Sequence, residues 1–340
     1  MVALSKEFTA RPPTMADVDA VVALSNLYAI DVIGRPWATV EDYRNDWQAP
    51  ACSIERDLRV VFHGDQLVGF GGVWDEAPHV RIYAWIYVHP EWRGQGIGTY
   101  LGEWCEERAR VSVDKAPQGA RVILDQEMPA SDAIGREYLE THGYSVARTF
   151  SRMLIEMDAP PPEPFFPQGI VVSTFDPDVP ERGLNAFVDA ERDIFRDHWG
   201  YVEQPLEDVR REWQHWIDSD PDHDPSLFFL AMAGTAIAGV SICRSKTAED
   251  PGMAYVTSLG VRRPYRRQGV ALGLLQHTFG EFYRRGTKRV SLDVDASSLT
   301  GATRLYEKAG MHLQRQTLAY DKVLREGEDL TTQTLDGGQE

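Results

Sequence analysis

Apolar residues in this chain of 340 residues form short β-prone runs separated by segments of helical spacing, and the same order occurs in both halves. Residues 82–88 and 254–261 are rich in aromatic and β-branched side chains, which predicts a strand in each place. After each run, apolar residues recur at every third or fourth position, which predicts a helix. A core strand and a short helix then complete each series, at residues 121–125 and 133–142 and again at 290–294 and 300–309.

The segments that precede these series also correspond. Each half begins with a predicted strand, at residues 8–11 and 169–173, followed by two helical segments. Predicted hairpins follow at residues 59–74 and 227–243. The repeat predicts two equivalent α+β units, each with a mixed central sheet flanked by helices.

A proline-rich segment separates the two halves. Residues 158–167 contain five prolines, which exclude a helix or a central strand and favour a stiff, extended spacer. We therefore predict a first domain at residues 1–157, a linker at 158–168 and a second domain at 169–326. The acidic, glycine-containing segment 327–340 is predicted to be a disordered tail.

The composition is that of a globular protein, with 43% hydrophobic and 26% charged residues. No apolar run approaches the roughly 20 residues needed to span a bilayer, and the N-terminus does not resemble a signal peptide. Three scattered cysteines form neither a disulfide framework nor a metal-binding spacing, so we expect a cytoplasmic protein with no membrane partner.

The formal net charge of −17 disfavours nucleic acid as a partner, because phosphates would be repelled. Such a surface would attract cationic amines. An acidic surface also aids solubility without any specific partner, so the charge alone does not identify a ligand.

The segment between each β-prone run and its helix is basic and contains small residues. An offset of 173 residues aligns the two copies, with Arg93 on Arg266 and Gly96 on Gly269. A helix start leaves backbone N–H groups unpaired and carries partial positive charge, and small residues let an anion approach. An ordinary turn with solvated arginines is the alternative, but two copies in matching register favour a phosphate site, most simply one for pyrophosphate.

Arg/Gln-x-x-Gly-x-Gly/Ala after a strand that ends near a proline resembles the acyl-CoA pyrophosphate loop of the GNAT superfamily of N-acetyltransferases. The first copy fits fully, whereas Ala271 stands at the last glycine position of the second. The resemblance covers nearly the whole chain as two tandem units, in a layout similar to the two-domain acetyltransferases that include mycothiol synthase. It implies two tandem GNAT domains, each with a splayed central sheet, and acetyl-CoA as co-substrate.

The resemblance implies that acyl-CoA lies where the strand before the loop splays from the next strand. In the first unit, the implied cofactor-binding residues are Tyr87, Val88, Arg93, Gly94, Gln95, Gly96, Ile97 and Gly98. In the second unit, they are Leu259, Gly260, Val261, Arg266, Arg267, Gln268, Gly269, Val270 and Ala271. Ser298 stands where the family often has an asparagine that contacts CoA, and is implied as a weaker substitute.

A tyrosine in the second unit stands at the family's catalytic position. Residues 302–311 resemble the family element A-x-x-L-Y-E-K-x-G-F/M, and Tyr306 occupies the place of the tyrosine that protonates the CoA thiolate. A phenol is neutral at pH 7 and a good donor, which suits this role. The alternative is a tyrosine of an amphipathic helix whose hydroxyl bonds to the backbone.

The first unit departs from this pattern. Aligning Gly143 with Gly310 places Leu139 on Tyr306, with Tyr138 one position earlier. One helical position is a rotation of about 100°, so we expect Tyr138 to face elsewhere. The first unit is therefore predicted to bind acyl-CoA and to be a poor catalyst.

The sequence offers three carboxylates as candidates for the general base. Candidates are Asp293 and Asp295, near the end of a core strand, and Glu191 in the first helix of the second unit; each is also compatible with a solvated or capping carboxylate. His198 and Trp199, in the segment that lines the acceptor site in this family, are candidates for substrate binding. Asp222-His223-Asp224 lies between prolines and is predicted to be a loop, so no metal is expected.

The resemblance implies an acetyl-CoA-dependent N-acetyltransferase that acts on a small amine, with the chemistry in the second unit. We expect the protein to be either a monomer or a homodimer. Acetylation of a cysteinyl amine, as by mycothiol synthase, is a narrower form of this hypothesis. A non-catalytic acyl-CoA sensor and a protein acetyltransferase remain alternatives, although Tyr306 argues against a pure binder.

Overall fold

The structure is a computed structural model that describes residues 4–220, 222–298 and 301–334. The chain divides into two compact units. The first comprises the residues up to Arg148 together with Thr317–Leu330, and the second comprises Thr149–Gln316 together with the residues from Thr331 onward.

The secondary structure follows the repeated order predicted from the sequence. The first half of the chain forms β1 (Phe8–Arg11), α1 (Val18–Ile33), α2 (Val40–Gln48), α3 (Ile54–Asp57), β2 (Leu58–His63), β3 (Gln66–Asp75), β4 (Arg81–Val88), α4 (Ile97–Val113), β5 (Val122–Pro129), α5 (Ala133–Thr141) and β6 (Ser145–Glu156). The second half forms β7 (Ile170–Thr174), α6 (Leu184–Phe195), α7 (Leu206–Ser219), β8 (Phe228–Ala233), β9 (Ala236–Arg244), β10 (Met253–Val261), α8 (Val270–Arg284), β11 (Arg289–Asp295), α9 (Ala302–Lys308) and β12 (His312–Arg325).

Each unit contains one mixed sheet flanked by helices, which confirms the predicted fold class. The strand order is β1-β2-β3-β4-β5-β12 in the first unit and β7-β8-β9-β10-β11-β6 in the second. The β4–β5 and β10–β11 pairs are parallel, and the other neighbouring strands within each unit are antiparallel.

The last strand of each sheet comes from the opposite half of the sequence. Thr317–Arg325 of β12 pair with β5, and Phe150–Glu156 of β6 pair with β11. The boundaries at residues 157 and 169 assumed that each half completes its own sheet, and the structure differs there. The alternation of side chains in a strand fixes which face is buried but not which neighbour it pairs with, so the sequence pattern was equally compatible with both arrangements.

Two predicted irregular segments make defined contacts. The linker contains neither helix nor strand between residues 158 and 168, as predicted. However, a Cβ atom on Gly273 of α8 would lie 2.6 Å from the Phe165 carbonyl oxygen, so the end of the linker packs closely on this helix.

The tail is hydrogen-bonded as far as it is described. Glu328 donates its N–H to the Gly119 carbonyl (2.8 Å), and Thr332 donates its N–H to the Tyr201 carbonyl (2.9 Å). The predicted disorder of residues 327–340 therefore does not hold for these positions. Residues 335–340 lie outside the described residues.

We expect that ending the chain after Gln316 will destabilise the first unit by several kcal/mol, because this change removes the strand that covers the edge of β5. It also removes Tyr320, which is fully buried, and the ion pair between Lys322 and Glu106. Hydrogen exchange of Val122–Pro129 should accelerate strongly.

A chain that ends after Leu330 is the matched control, because it keeps β12 and loses only the tail. Equal exchange protection of β5 in the two truncated chains would show that β12 does not stabilise the first unit.

Candidate active site

Each sheet opens into a cleft between its two parallel strands. In the second unit, β10 and β11 pair only over Met253–Tyr255 and Arg289–Ser291, although β10 continues to Val261 and β11 to Asp295. In the first unit, β4 and β5 likewise pair only over Arg81–Ala84 and Ile123–Gln126. The splay predicted from the sequence is therefore confirmed. Past the last pair, backbone groups of each strand have no partner on the other and are available to a ligand.

The strand before the loop is irregular in one unit only. The register between β10 and β9 shifts between Val256 and Ser258, which is a β-bulge. The corresponding pairing of β4 with β3 is continuous from Ile82 to Val88. Because a bulge bends a strand and changes the direction of its backbone groups, the two clefts present different backbone geometry to a ligand.

Both basic loops have the backbone shape of an anion site. Gly94 and Gly96 in the first loop, and Arg267 and Gly269 in the second, have positive φ angles of 75°, 82°, 60° and 89°. A Cβ atom on any of the three glycines would meet nothing within 4 Å, so the approach to the backbone is open. Left-handed residues just before a helix start direct successive N–H groups into one concavity. The loops therefore fit the pyrophosphate of acyl-CoA.

The loop arginines contact protein carboxylates. In the second unit, Arg266 donates to Asp197 (2.5 Å) and to the Val261 carbonyl (2.8 Å), and Arg263 donates its Nε–H to Asp197 (2.9 Å). In the first unit, Arg93 pairs with Asp31 at 2.6 Å. The first arginine of each loop thus ties the loop to the segment at the end of a helix.

The Asp197 carboxylate is well suited to this contact. Its side chain is 3% exposed, and the two guanidinium groups, Arg263 first, lower its pKa to about 2 against the opposing effect of burial. The carboxylate is consequently ionised at any physiological pH. Asp197 was not singled out by its sequence pattern, and its distance of 69 residues from Arg266 explains why.

The other predicted cofactor-binding residues have varied surroundings. Arg267, Gln268 and Gln95 are exposed, whereas Ile97 and Val270 are buried at the first positions of their helices. Gln268 donates to the Pro264 carbonyl (3.0 Å). Ser298 donates its N–H to the Asp295 carbonyl (2.9 Å). The structure brings the loop residues of each unit together at one helix start, as the sequence predicted.

Gly260 of β10 is required by close packing. A Cβ atom there would lie 2.0 Å from Cγ2 of Ile194 in α6, so this helix lies directly against the strand backbone. The corresponding residue of β4 is Tyr87, whose ring packs on Tyr28 of α1 with a centroid distance of 5.1 Å. At this place the second unit therefore has a glycine with no side chain, whereas the first unit has two packed aromatic rings.

Tyr306 lies in the second unit with a phenol that no described residue engages. It is 6% exposed and belongs to the same apolar cluster as Val261, Val270 and Leu274, at the end of β10 and the start of α8. Burial raises the pKa of Tyr306 to about 12, so its hydroxyl stays protonated. In the described part of the chain the hydroxyl has no hydrogen-bond partner, which argues against the alternative that it bonds to the backbone.

The expectation for Tyr138 is wrong. Tyr138 and Leu139 both line the cleft of the first unit. A Cβ atom on Gly102 of α4 would lie 1.8 Å from the Tyr138 hydroxyl oxygen, so the phenol fills the space that this glycine leaves. The aligned residue of α8 is Leu275, which has a side chain there. The argument from helical rotation failed because it assumed that α5 and α9 pack against similar surfaces, whereas Gly102 stands where the second unit has Leu275.

The cleft of the first unit has a volume of about 410 Å³. Its walls combine loop glycines, the splayed strands and several aromatic side chains, including Gly94, Gly96, Gly98, Ile86, Tyr87, Val88, Gln126, Met128, Tyr28, Trp37 and Trp85. Asp132 also lines it. Sequence reasoning missed Tyr28, Trp37 and Asp132, although Asp132 stands seven positions before Leu139, where the second-unit pattern led to a search for an asparagine.

Of the candidate bases, Glu191 has the more suitable environment. It lies on α6, one turn before Phe195, and burial raises its pKa to about 7 against a smaller opposing effect of Arg192. Its carboxylate hydrogen-bonds no other described residue. Asp293 instead accepts two hydrogen bonds of 2.7 Å from Arg152 and one of 2.9 Å from Tyr255. The Asp293 carboxylate is therefore already engaged by two protein side chains.

The segment after α6 is fixed by the tail. Trp199 donates its indole N–H to Gln333 (2.9 Å), and Gly200 donates its backbone N–H to the Thr332 carbonyl (2.8 Å). His198 packs edge-on against the Phe195 ring at 4.5 Å. The predicted substrate-binding residues of this segment therefore lie in a structured connector.

Two kinds of feature are absent from the residues that the structure describes. No cluster of three or more His, Cys, Asp or Glu side chains suited to a metal ion occurs among the residues that the structure describes. Within the same residues, no helix has the length and apolar character needed to cross a membrane.

Both halves of the chain are similar in sequence to known proteins. The model of the acetyltransferase (GNAT) family matches residues 185–311, and that of an acetyltransferase (GNAT) domain matches residues 55–146. Mycothiol acetyltransferase of Streptomyces scabiei is 29% identical over 313 residues, which cover 90% of this chain and 92% of the relative. The enzyme of the same name from Thermobispora bispora is 28% identical over 256 residues, 74% of this chain and 78% of the relative.

Solved structures agree with this relationship. A tandem GNAT protein from the clavulanic acid biosynthesis pathway shares the fold, with a TM-score of 0.71 and 16% identity over 94% of this chain and 100% of that one. The crystal structure of a GCN5-related N-acetyltransferase from Sphaerobacter thermophilus has a TM-score of 0.78 and 34% identity, and the match covers 96% of this chain and 99% of that one. This identity over almost the full length, with a GNAT match in each half, shows that the chain belongs to the GNAT superfamily and is a tandem N-acetyltransferase.

Proposed function

We propose that the second unit transfers the acetyl group of acetyl-CoA to the primary amine of a small molecule. Tyr306 carries this proposal, because it combines a protonated phenol with the absence of a polar partner among the described residues. The bulge in β10 and the open cleft beside it support the same assignment. The first unit lacks both the bulge and a tyrosine at the aligned position.

The reaction follows from these groups. The amine nitrogen attacks the thioester carbonyl carbon, and backbone N–H groups of β10 past Tyr255 stabilise the oxyanion that forms. The carbon–sulfur bond then breaks, and the CoA thiolate takes the proton of the Tyr306 hydroxyl. Glu191, which is half ionised near pH 7, accepts the proton that the amine loses.

A narrower proposal is that the acceptor is a cysteinyl amine, as in mycothiol-synthase-type acetylation. Relatives named mycothiol acetyltransferase, 28–29% identical over most of this chain, favour it. A panel that compares cysteinyl glycosides with aminoglycosides, polyamines, amino sugars and a lysine peptide tests this assignment. Selective turnover of the cysteinyl compounds is expected.

Replacing Tyr306 with Phe removes the proton donor and leaves the ring in place. We expect kcat to fall by about 100-fold or more with little change in the affinity for acetyl-CoA, because the lost interaction exists only when the thiolate leaves. Thiol release from acetyl-CoA in the presence of the acceptor measures this effect.

Tyr138→Phe is the matched control and should retain near wild-type turnover. If turnover survived in Tyr306→Phe and disappeared in Tyr138→Phe, the chemistry would belong to the first unit.

The carboxylate of Glu191 should set the acid limb of the pH profile. Only the ionised form accepts a proton, so kcat/KM should rise with pH through about 7 and then level off. Glu191→Gln should lower kcat/KM by roughly 10²-fold and abolish this limb.

Asp189→Asn changes an exposed carboxylate of the same helix and serves as the control. A profile that keeps its limb in Glu191→Gln would assign the titration to another group, such as the acceptor amine.

Gly96→Ala and Gly269→Ala test the two loops separately. Each substitution places alanine at a positive φ and costs about 1–2 kcal/mol, which should distort the anion site of one unit. We expect wild type to bind two molecules of acetyl-CoA, and each variant to bind one, by isothermal titration calorimetry.

Turnover should fall sharply only in Gly269→Ala. Turnover that depended on Gly96 would contradict the assignment of catalysis to the second unit. Binding of acetyl-CoA without turnover of any amine would favour the acyl-CoA sensor.

A further inference from the structure

Two hydrogen bonds cross the cleft of the first unit. Tyr28 donates its hydroxyl to Oδ2 of Asp132 (2.5 Å), and Ser131 donates its hydroxyl to the Val32 carbonyl (2.8 Å). Tyr28 and Val32 belong to α1, which packs on β3 and β4, whereas Ser131 and Asp132 lie between β5 and α5. Because β4 and β5 have already separated, these bonds join one wall of the cleft to the other.

The Tyr28–Asp132 bridge is held at both ends. The Tyr28 ring packs against both Trp37 and Tyr87, at centroid distances of 5.5 and 5.1 Å. Oδ1 of Asp132 accepts the Gly135 N–H (2.9 Å) and so caps α5. Tyr28 and Asp132 are 7% and 6% exposed. Burial, followed by the charge of Asp132, raises the pKa of Tyr28 far above its usual value, so the phenol remains a donor.

The connector after α1 adds to this closure. Oδ1 of Asn26 accepts the N–H groups of Trp37 and Ala38, both at 2.9 Å. The Trp37 indole donates to Ser25 (2.7 Å). These bonds hold Trp37 against Tyr28, so the wall formed by α1 and its connector is fixed by polar contacts as well as by packing.

In the second unit, an apolar residue stands at the place of Tyr28. There Ile194 contacts Gly260, where Tyr28 contacts Tyr87 in the first unit. An isoleucine side chain donates no hydrogen bond, so it cannot join the two walls of a cleft. Among the described residues, the two units thus differ in whether the side chain packed on the strand before the loop can donate a hydrogen bond across the cleft.

We propose that the Tyr28–Asp132 bridge makes the first cleft a holding site, which binds acetyl-CoA through its loop and shields the thioester from nucleophiles. The inference depends on the proposed binding of acyl-CoA at the Gly94–Gly98 loop. The loop glycines remain open to the pyrophosphate, while the bridge and Trp37 close the side of the cleft that faces α1. An amine would have to break a buried, charge-assisted hydrogen bond to reach the carbonyl carbon.

The test uses the full chain with Gly269→Ala and Tyr306→Phe, so that acetyl-CoA binds in the first unit and the second unit is silent. The bound thioester is challenged with hydroxylamine, a small nucleophile that cleaves free acetyl-CoA, and thiol release is followed. We expect bound acetyl-CoA to react at least about 10-fold more slowly than free acetyl-CoA. Adding Tyr28→Phe should return the rate to nearly that of free acetyl-CoA.

Two further variants separate the bridge from general effects. Tyr43→Phe removes another tyrosine hydroxyl of this unit, which donates to Ser25 at 3.1 Å, and should keep the protection. Asp132→Ser retains a residue that caps helices well but is too short to reach Tyr28, and should lose the protection as Tyr28→Phe does. This variant also answers the question if Tyr28→Phe fails to fold.

The outcomes distinguish the two proposals. Equal protection in Tyr28→Phe, Asp132→Ser and Tyr43→Phe would overturn the role of the bridge while leaving acyl-CoA binding intact. If calorimetry detects no acetyl-CoA binding in the starting chain, the proposed function of the first loop fails and the holding site fails with it. Amine acetylation by the starting chain that disappears in Tyr28→Phe would also overturn the proposal, because the cleft would then be catalytic.

Discussion

The constraint on which this protein depends is the early separation of two parallel strands. β10 and β11 share three paired residues, and β4 and β5 share four, before each pair diverges. Unpaired backbone groups inside a protein are costly, so this geometry persists where a ligand or a side chain can satisfy them. The loops, the helix starts and the flanking tyrosines are all arranged around that gap.

The gap between the parallel strands has different surroundings in the two units. One difference lies at a single position of the strand before the loop. Gly260 lets α6 approach the backbone of β10, whereas Tyr87 fills that space with a ring and brings Tyr28 against it. Similarly, Gly102 makes room for Tyr138, where Leu275 stands in the other helix. In each pair a glycine in one unit replaces a larger residue in the other. Exchanges of volume around a common frame therefore place different side chains beside the two clefts.

Much of the fold could be predicted because its signals are local. The loops were found from small and basic residues that are neighbours in the sequence and recur at a fixed offset. The contacts that were missed join distant residues: Tyr28 and Asp132 are 104 positions apart. Strand exchange was missed for a related reason, since β6 and β12 both follow a short helix closed by Gly143 or Gly310. Local sequence patterns specify helices and strands. Which strands pair depends on competition among all the strands in three dimensions.

The origin of the last strand in the first sheet has a consequence for biosynthesis. A ribosome makes the N-terminal half first, but the strand that covers β5 consists of Thr317–Arg325 and begins 188 residues after Pro129, the last residue of β5. Until β12 has been made, the edge of β5 is uncovered, and β6, which is made directly after α5, is the nearest strand along the chain. Synthesis of β11 and β12 therefore has to supply the native partners of β6 and β5 before each of the two sheets can be completed.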